Sequence, residues 1–180
     1  KKKIKEVSKN KTLQANWNAI NKAVTKESDD LIKKLEKTDF TYSRKVYESQ
    51  LDEVLVRLRE NPFSSEKVAK KIIGKAKDIA AKNGNTASGL LKSRKGGNIF
   101  DPKIENSLSV ALKEVRRTTN NFVDNVAAQG SGSAFVNKSL TKQSRLISAL
   151  DNIRPKAAEE YANVISRAWN NAVRLLPLRG

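Results

Sequence analysis

Between Glu66 and Lys95 nine residues are Lys or Arg, and only Glu66 and Asp78 oppose them. Clustered ammonium and guanidinium groups bind phosphate backbones by releasing condensed counterions, a chemistry that requires no reading of bases. Lys67, Lys70, Lys71, Lys75, Lys77, Lys92, Arg94 and Lys95 are therefore the candidate nucleic-acid contacts. No aromatic residue is interleaved with them, which argues against a stacking platform for single strands. Nor does any motif set Arg or Asn side chains for base edges, so contact with DNA or RNA is expected to be sequence-independent. The plainer reading of the same lysines is a solvated helix face.

Other chemistries lack their side chains. The 180 residues contain no His, Cys or Met, which removes the ligands of most zinc sites, the thiol nucleophile and the Ser–His relay. Asp52-Glu53, Glu105, Glu114, Asp151 and Glu159-Glu160 supply carboxylates, yet each lies on an expected helix with Lys or Arg at pairing distance. Surface ion pairs account for them better than a hydrolase or a metal-dependent nuclease. Gly96-Gly97 follows Lys92-Ser93-Arg94-Lys95 in the wrong order for a phosphate loop, which places Gly before Lys-Ser/Thr at the opening of a helix. The expectation is a protein that is not an enzyme and takes no cofactor and no metal.

The scaffold for the basic cluster is read from spacing. Leu13, Trp17, Ile20 and Val24 recur at helical intervals, and Ser28-Asp29-Asp30 reads as the cap of a further short helix through Leu31 and Leu35. Ser43 caps a stripe of Tyr47, Leu51, Val54, Leu55 and Leu58 that Asn61-Pro62 ends. Ser64 or Ser65 opens the lysine-bearing helix, whose buried face is expected to be Val68, Ile72, Ala76, Ile79 and Ala80, with Asn83-Gly84 as its stop. Gly84, Gly89, Gly96 and Gly97 mark a linker in which Leu90-Leu91 docks at most one turn. Asp101-Pro102 signals a helix start for the stripe Leu108, Ala111, Val115, Thr119, Phe122 and Val126. Helices from Ala134 and around Ala158–Leu176 complete the chain. The fold class is all-α, a helical bundle or extended helical hairpins with a Gly-rich central loop. It divides into a basic helical region (1–83), a Gly/Lys-rich linker (84–100) and a helical hairpin region (101–180).

Composition adds the setting. There are 36 Lys or Arg against 19 Asp or Glu, a formal charge of +17, which calls for a polyanion or a dense assembly as partner. No apolar run approaches the ~20 residues of a membrane span. Trp17 and Trp169 lie on apolar helix faces and are the expected anchors of a homo-oligomer interface, with core packing as the plainer alternative. A sequence that opens Lys1-Lys2-Lys3 without Met is expected to be a matured product or the ordered part of something larger.

One segment carries more than amphipathicity. Val115-Arg116-Arg117 and Phe122-Val123 precede Phe135-Val136-Asn137-Lys138-Ser139-Leu140, then Gln143-Ser144-Arg145-Leu146, Ala149, Asp151-Asn152-Ile153 and Lys156-Ala157-Ala158. This third of the chain resembles a helical segment of large structural and ejection-associated virion proteins of tailed bacteriophages, although Ile147 stands where Tyr is expected. The resemblance implies a virion component, internal or associated with the portal, tail or DNA ejection. Its partners would be copies of itself, other virion proteins and packaged DNA, and it would reside in the host bacterial cytoplasm during assembly. It brings no catalytic residue.

Overall fold

The computed structural model describes residues 13–38, 40–94, 104–130 and 134–153. Helix α1 runs Leu13–Lys37, α2 Arg44–Leu58, α3 Glu66–Lys82, α4 Ala87–Ser93 and α5 Asn106–Ala128. Residues 134–153 are helical and are called α6. Among the described residues there is no strand, and one isolated antiparallel bridge, Thr41 with Thr86, is the only extended pairing. The fold is all-α, and none of the described helices is long and apolar enough to cross a membrane.

The local signals explain most boundaries. Ser65 accepts from Val68 N at 3.4 Å at the start of α3. Asn83 caps the other end, and Gly84 follows at φ +72°, the left-handed conformation in which a side chain is strained. Ser43 stands at the N-cap of α2 with extended backbone but makes no side-chain capping bond.

Four expectations are corrected. Ser28-Asp29-Asp30 begins no helix, because α1 continues through it without a break. Trp17, Ile20, Val24, Leu31 and Leu35 form one buried row, and Ser28 occupies a place in that row. The hydroxyl that looked like a cap accepts instead from Arg94 Nη2 at 3.0 Å. The linker expected at 84–100 contains a seven-residue helix, α4, capped by Thr86, with Leu90 and Leu91 fully buried. Burying a leucine contributes roughly 1.5–3 kcal/mol, enough for the pair to hold a short helix that propensity alone would not. Asp101-Pro102 lies outside the described residues, but residues 104 and 105 are not helical and α5 starts at Asn106. Finally, the buried row of α3 includes the expected Ala76 and Ala80 but continues through Ala69 and Ile73, while Val68, Ile72 and Ile79 are only partly buried. The small alanines let α3 lie close to its neighbours.

One core gathers Leu31 to Leu140 and so draws on both sides of the proposed linker. Its aromatic centre is Tyr42, Tyr47 and Phe122, with ring centroids 5.3–5.9 Å apart and the Tyr42 ring edge-on to both partners. Tyr47 OH lies 2.7 Å from Thr119 Oγ1, which satisfies both hydroxyls inside the core and fixes α2 against α5. A second cluster joins α1 to α6 through Trp17, Ile20, Val24 and Leu150. Gly89 is required by contact: a Cβ there would lie 2.5 Å from Asn83 O, where α4 turns back on the end of α3.

Candidate functional site

The expected basic cluster separates in three dimensions. Lys67 and Lys71 are exposed on α3 and have no ion-pair partner among the described residues. Lys70 pairs with Glu66 at 3.3 Å, and its ammonium, followed by Arg59, holds the Glu66 carboxyl below its usual value. Lys75 is exposed on the same helix. Lys77 bridges to Asp52 of α2 at 2.6 Å, and Lys92 to Glu36 of α1 at 2.6 Å. Both pairs cross-link helices, and exposed pairs of this kind contribute at most about 1 kcal/mol each. Lys95 and Trp169 lie outside the described residues. Trp17 is 1 % exposed, packed against Leu150 and its neighbours on α6, so its indole serves the chain's own core.

Arg94 turns inward. It follows the last turn of α4, and its guanidinium donates to Asn120 Oδ1, to Ser28 Oγ at 3.0 Å, to Gln143 Oε1 at 3.4 Å and, through Nε, to Leu91 O at 3.4 Å. All four acceptors are neutral, and no carboxylate among the described residues pairs with it. Arg116 of α5 donates to the same Gln143 Oε1 at 2.9 Å. Gln143 is completely buried, and its amide donates to Ser139 Oγ at 3.3 Å. Ser139 in turn donates to Glu27 of α1 at 3.2 Å, and Lys142 meets that carboxylate at 2.5 Å. One side-chain amide thus takes charged donors from α4 and α5 while standing on α6. Burial pulls Arg94 well below the usual guanidinium value, and the nearby Arg116 adds to the effect. Burial lowers Arg116 to about 10, so it is still cationic at neutral pH. Guanidinium groups keep their proton in proteins, so two positive charges stand side by side here.

On the outer side of this node α5 and α6 enclose an open groove of about 530 Å³. The two helices run antiparallel. Lys113 meets Asp151 at 2.9 Å at one end, and Asn137 donates to Asp124 at 3.2 Å at the other. Between those rungs Arg116, Arg117, Asn120 and Asn121 of α5 face Ser144, Arg145 and Ser148 of α6. Arg145 is exposed and has no ion-pair partner among the described residues; Arg117 shares Glu114 with Arg57, each at 3.6 Å. Sequence reasoning missed this groove. The signal that could have revealed it is a polar row beside the apolar one: 116, 117, 120 and 121 on α5, matched by 144, 145 and 148 on α6. Among the described residues no group of acidic side chains is placed to hold a metal ion.

Comparison with family models, with curated proteins and with solved structures finds no match to this chain.

Proposed function

We propose that this all-helical chain is a non-enzymatic structural component of a tailed-phage virion, internal or associated with the portal, tail or ejected proteins, and that it acts by helix-to-helix assembly beside packaged DNA. The observation that supports this reading is where the residues of the resemblance fall. Arg116, Ser139 and Gln143 meet at the node that joins α5 to α6, and Leu140 is buried in the core. The residues on which the resemblance rests thus serve architecture in this chain, which is the use that a structural role calls for. The copies and the other virion proteins it would meet belong to this proposal, with the virion as its site and the bacterial cytoplasm as the place of assembly. Sedimentation velocity at micromolar concentration, with and without duplex DNA, tests it. Defined multimers in the absence of DNA are expected, and a monomer under all conditions overturns assembly as the mode of action.

The excess of cations favours a second reading, a sequence-independent nucleic-acid-binding or compacting protein. A formal charge of +17 creates a field that attracts polyanions whatever their sequence. In sedimentation this reading gives monomers that form large, salt-sensitive complexes only when DNA is added.

A further inference from the structure

The α3 lysines stand on one exposed helix face, whereas the α5/α6 groove sets arginines from two helices around one shaped surface. Four cations line it, Lys113, Arg116, Arg117 and Arg145, against two carboxylates, Asp124 and Asp151. Both acids are engaged at the ends, and Arg117 shares Glu114 with Arg57 at 3.6 Å, so Arg145 is the lining cation without an ion-pair partner among the described residues and the lining carries a net positive charge. Behind the groove wall lies Arg94, whose acceptors among the described residues are all neutral. Asn120 belongs to both layers: its carbonyl oxygen is committed to Arg94, which leaves its amide NH₂ as the end free to donate into the groove.

We infer that the groove between α5 and α6 is a docking site for the phosphodiester backbone of a nucleic acid, with Arg116, Arg117 and Arg145 as its phosphate ligands and the Asn120 amide as a neutral donor. This rests on the reading that the chain meets nucleic acid, but it moves the contact away from α3. Three properties of the groove fit that ligand. Guanidinium forks match phosphate oxygens in pairs, which lysine ammoniums do not. From Lys113 to Asp124 α5 advances about 16 Å, the reach of several consecutive phosphates of one strand. The open mouth admits a strand passing through, where a closed pocket would suit a single free anion. Because Arg116 is tied to Gln143, one ligand is held in place before binding, and less freedom is lost when phosphate arrives.

The test compares two doubly charge-reversed proteins by fluorescence anisotropy on one labelled duplex between about 50 and 200 mM salt. R117E/R145E alters the groove, and K67E/K71E makes the same change of charge on α3. All four residues are exposed, so both proteins are expected to keep wild-type circular dichroism; R145Q repeats the groove test without reversing a charge. The inference expects the groove protein to bind at least tenfold more weakly than the α3 protein, with its salt slope reduced by about 2, the loss of two phosphate contacts. Equal weakening of the two, or greater weakening in the α3 protein, overturns the groove while leaving nucleic-acid binding in place. A wild-type protein that binds no duplex at the lowest salt overturns both. Displacement of the duplex by polyglutamate at equal charge concentration shows that the groove takes carboxylates as readily, and overturns its assignment to phosphodiesters.

Discussion

Replacing Tyr42 by Phe isolates one buried hydroxyl. The Tyr42 side chain is 8 % exposed, and its OH has no hydrogen-bond partner among the described residues. Its ring packs edge-on against Tyr47 and Phe122 at 5.9 and 5.5 Å, contacts that phenylalanine keeps. Leaving a buried hydroxyl unsatisfied costs about 1–3 kcal/mol, so Tyr42→Phe should be neutral to stabilising by about 1 kcal/mol at pH 7. The larger effect comes in alkali. Burial, followed by Tyr47, pushes the Tyr42 phenol from 10.0 to about 12, with Glu48 adding to the rise and Arg44 opposing it. Between those values the unfolded chain has released the proton that the folded chain retains. Stability therefore falls as pH rises, by about 1.4 kcal/mol per pH unit and by roughly 3 kcal/mol across the interval. Below pH 10 this contribution is constant. Urea unfolding of both proteins at pH 7, 9 and 11 measures the difference, in which the titration of shared lysines cancels. The gap in favour of the variant should widen by roughly 1 kcal/mol or more between pH 9 and 11. A gap that stays constant with pH, or a variant less stable by 1 kcal/mol or more at pH 7, refutes the reasoning.

Two glycines should respond in opposite directions when changed to alanine. Gly89→Ala drives a Cβ against the Asn83 carbonyl and should destabilise by roughly 1–3 kcal/mol, whereas Gly74, in the middle of α3 with open space around it, should gain about 0.5–1 kcal/mol in thermal or urea unfolding. Gln143→Leu removes the oxygen shared by Arg94 and Arg116 and leaves buried charged donors without it; a loss of roughly 2–4 kcal/mol is expected in urea unfolding. Trp17→Ala should cost roughly 3–5 kcal/mol by the same measurement, without a shift in sedimentation, since its partners belong to its own chain.

Helix content was legible wherever apolar spacing continued, and it was misread wherever polar residues entered the core. Ser28 shows why. Serine before two acids is a strong cap signal, and only the tertiary approach of Arg94 reveals that the hydroxyl has another use. The α4 segment failed for a related reason. Glycine and serine read as a loop, while what folds the segment is the burial of Leu90 and Leu91 and the fit of Gly89 against Asn83, neither of which is local. On α3 Ala76 and Ala80 were read correctly as buried, but the stripe was extended through Val68 and Ile72 where the buried row continues through Ala69 and Ile73, a choice between adjacent rows that only the neighbouring helices decide. For the site, charge was legible and its geometry was not. Arg94 sat among lysines in the sequence and is partly buried, turned toward Ser28, Asn120 and Gln143. Arg116 and Arg145 belong to separate helices, and only pairing α5 with α6 brings them to one groove.

The bond between Lys142 and Glu27 joins residues 115 positions apart. During synthesis α1 therefore leaves the ribosome long before α6 exists to cover it. At about 5–20 residues per second, the interval is roughly 6–23 s. Throughout it Trp17, Ile20 and Val24 lack their partners on α6, while Leu31 and Leu35 join the core that α2 to α5 supply earlier. The opposite side of the helix carries exposed Lys22, Lys26, Lys33, Lys34 and Lys37. Like charges on that side make two nascent chains repel each other for as long as the Trp17, Ile20 and Val24 face waits for α6.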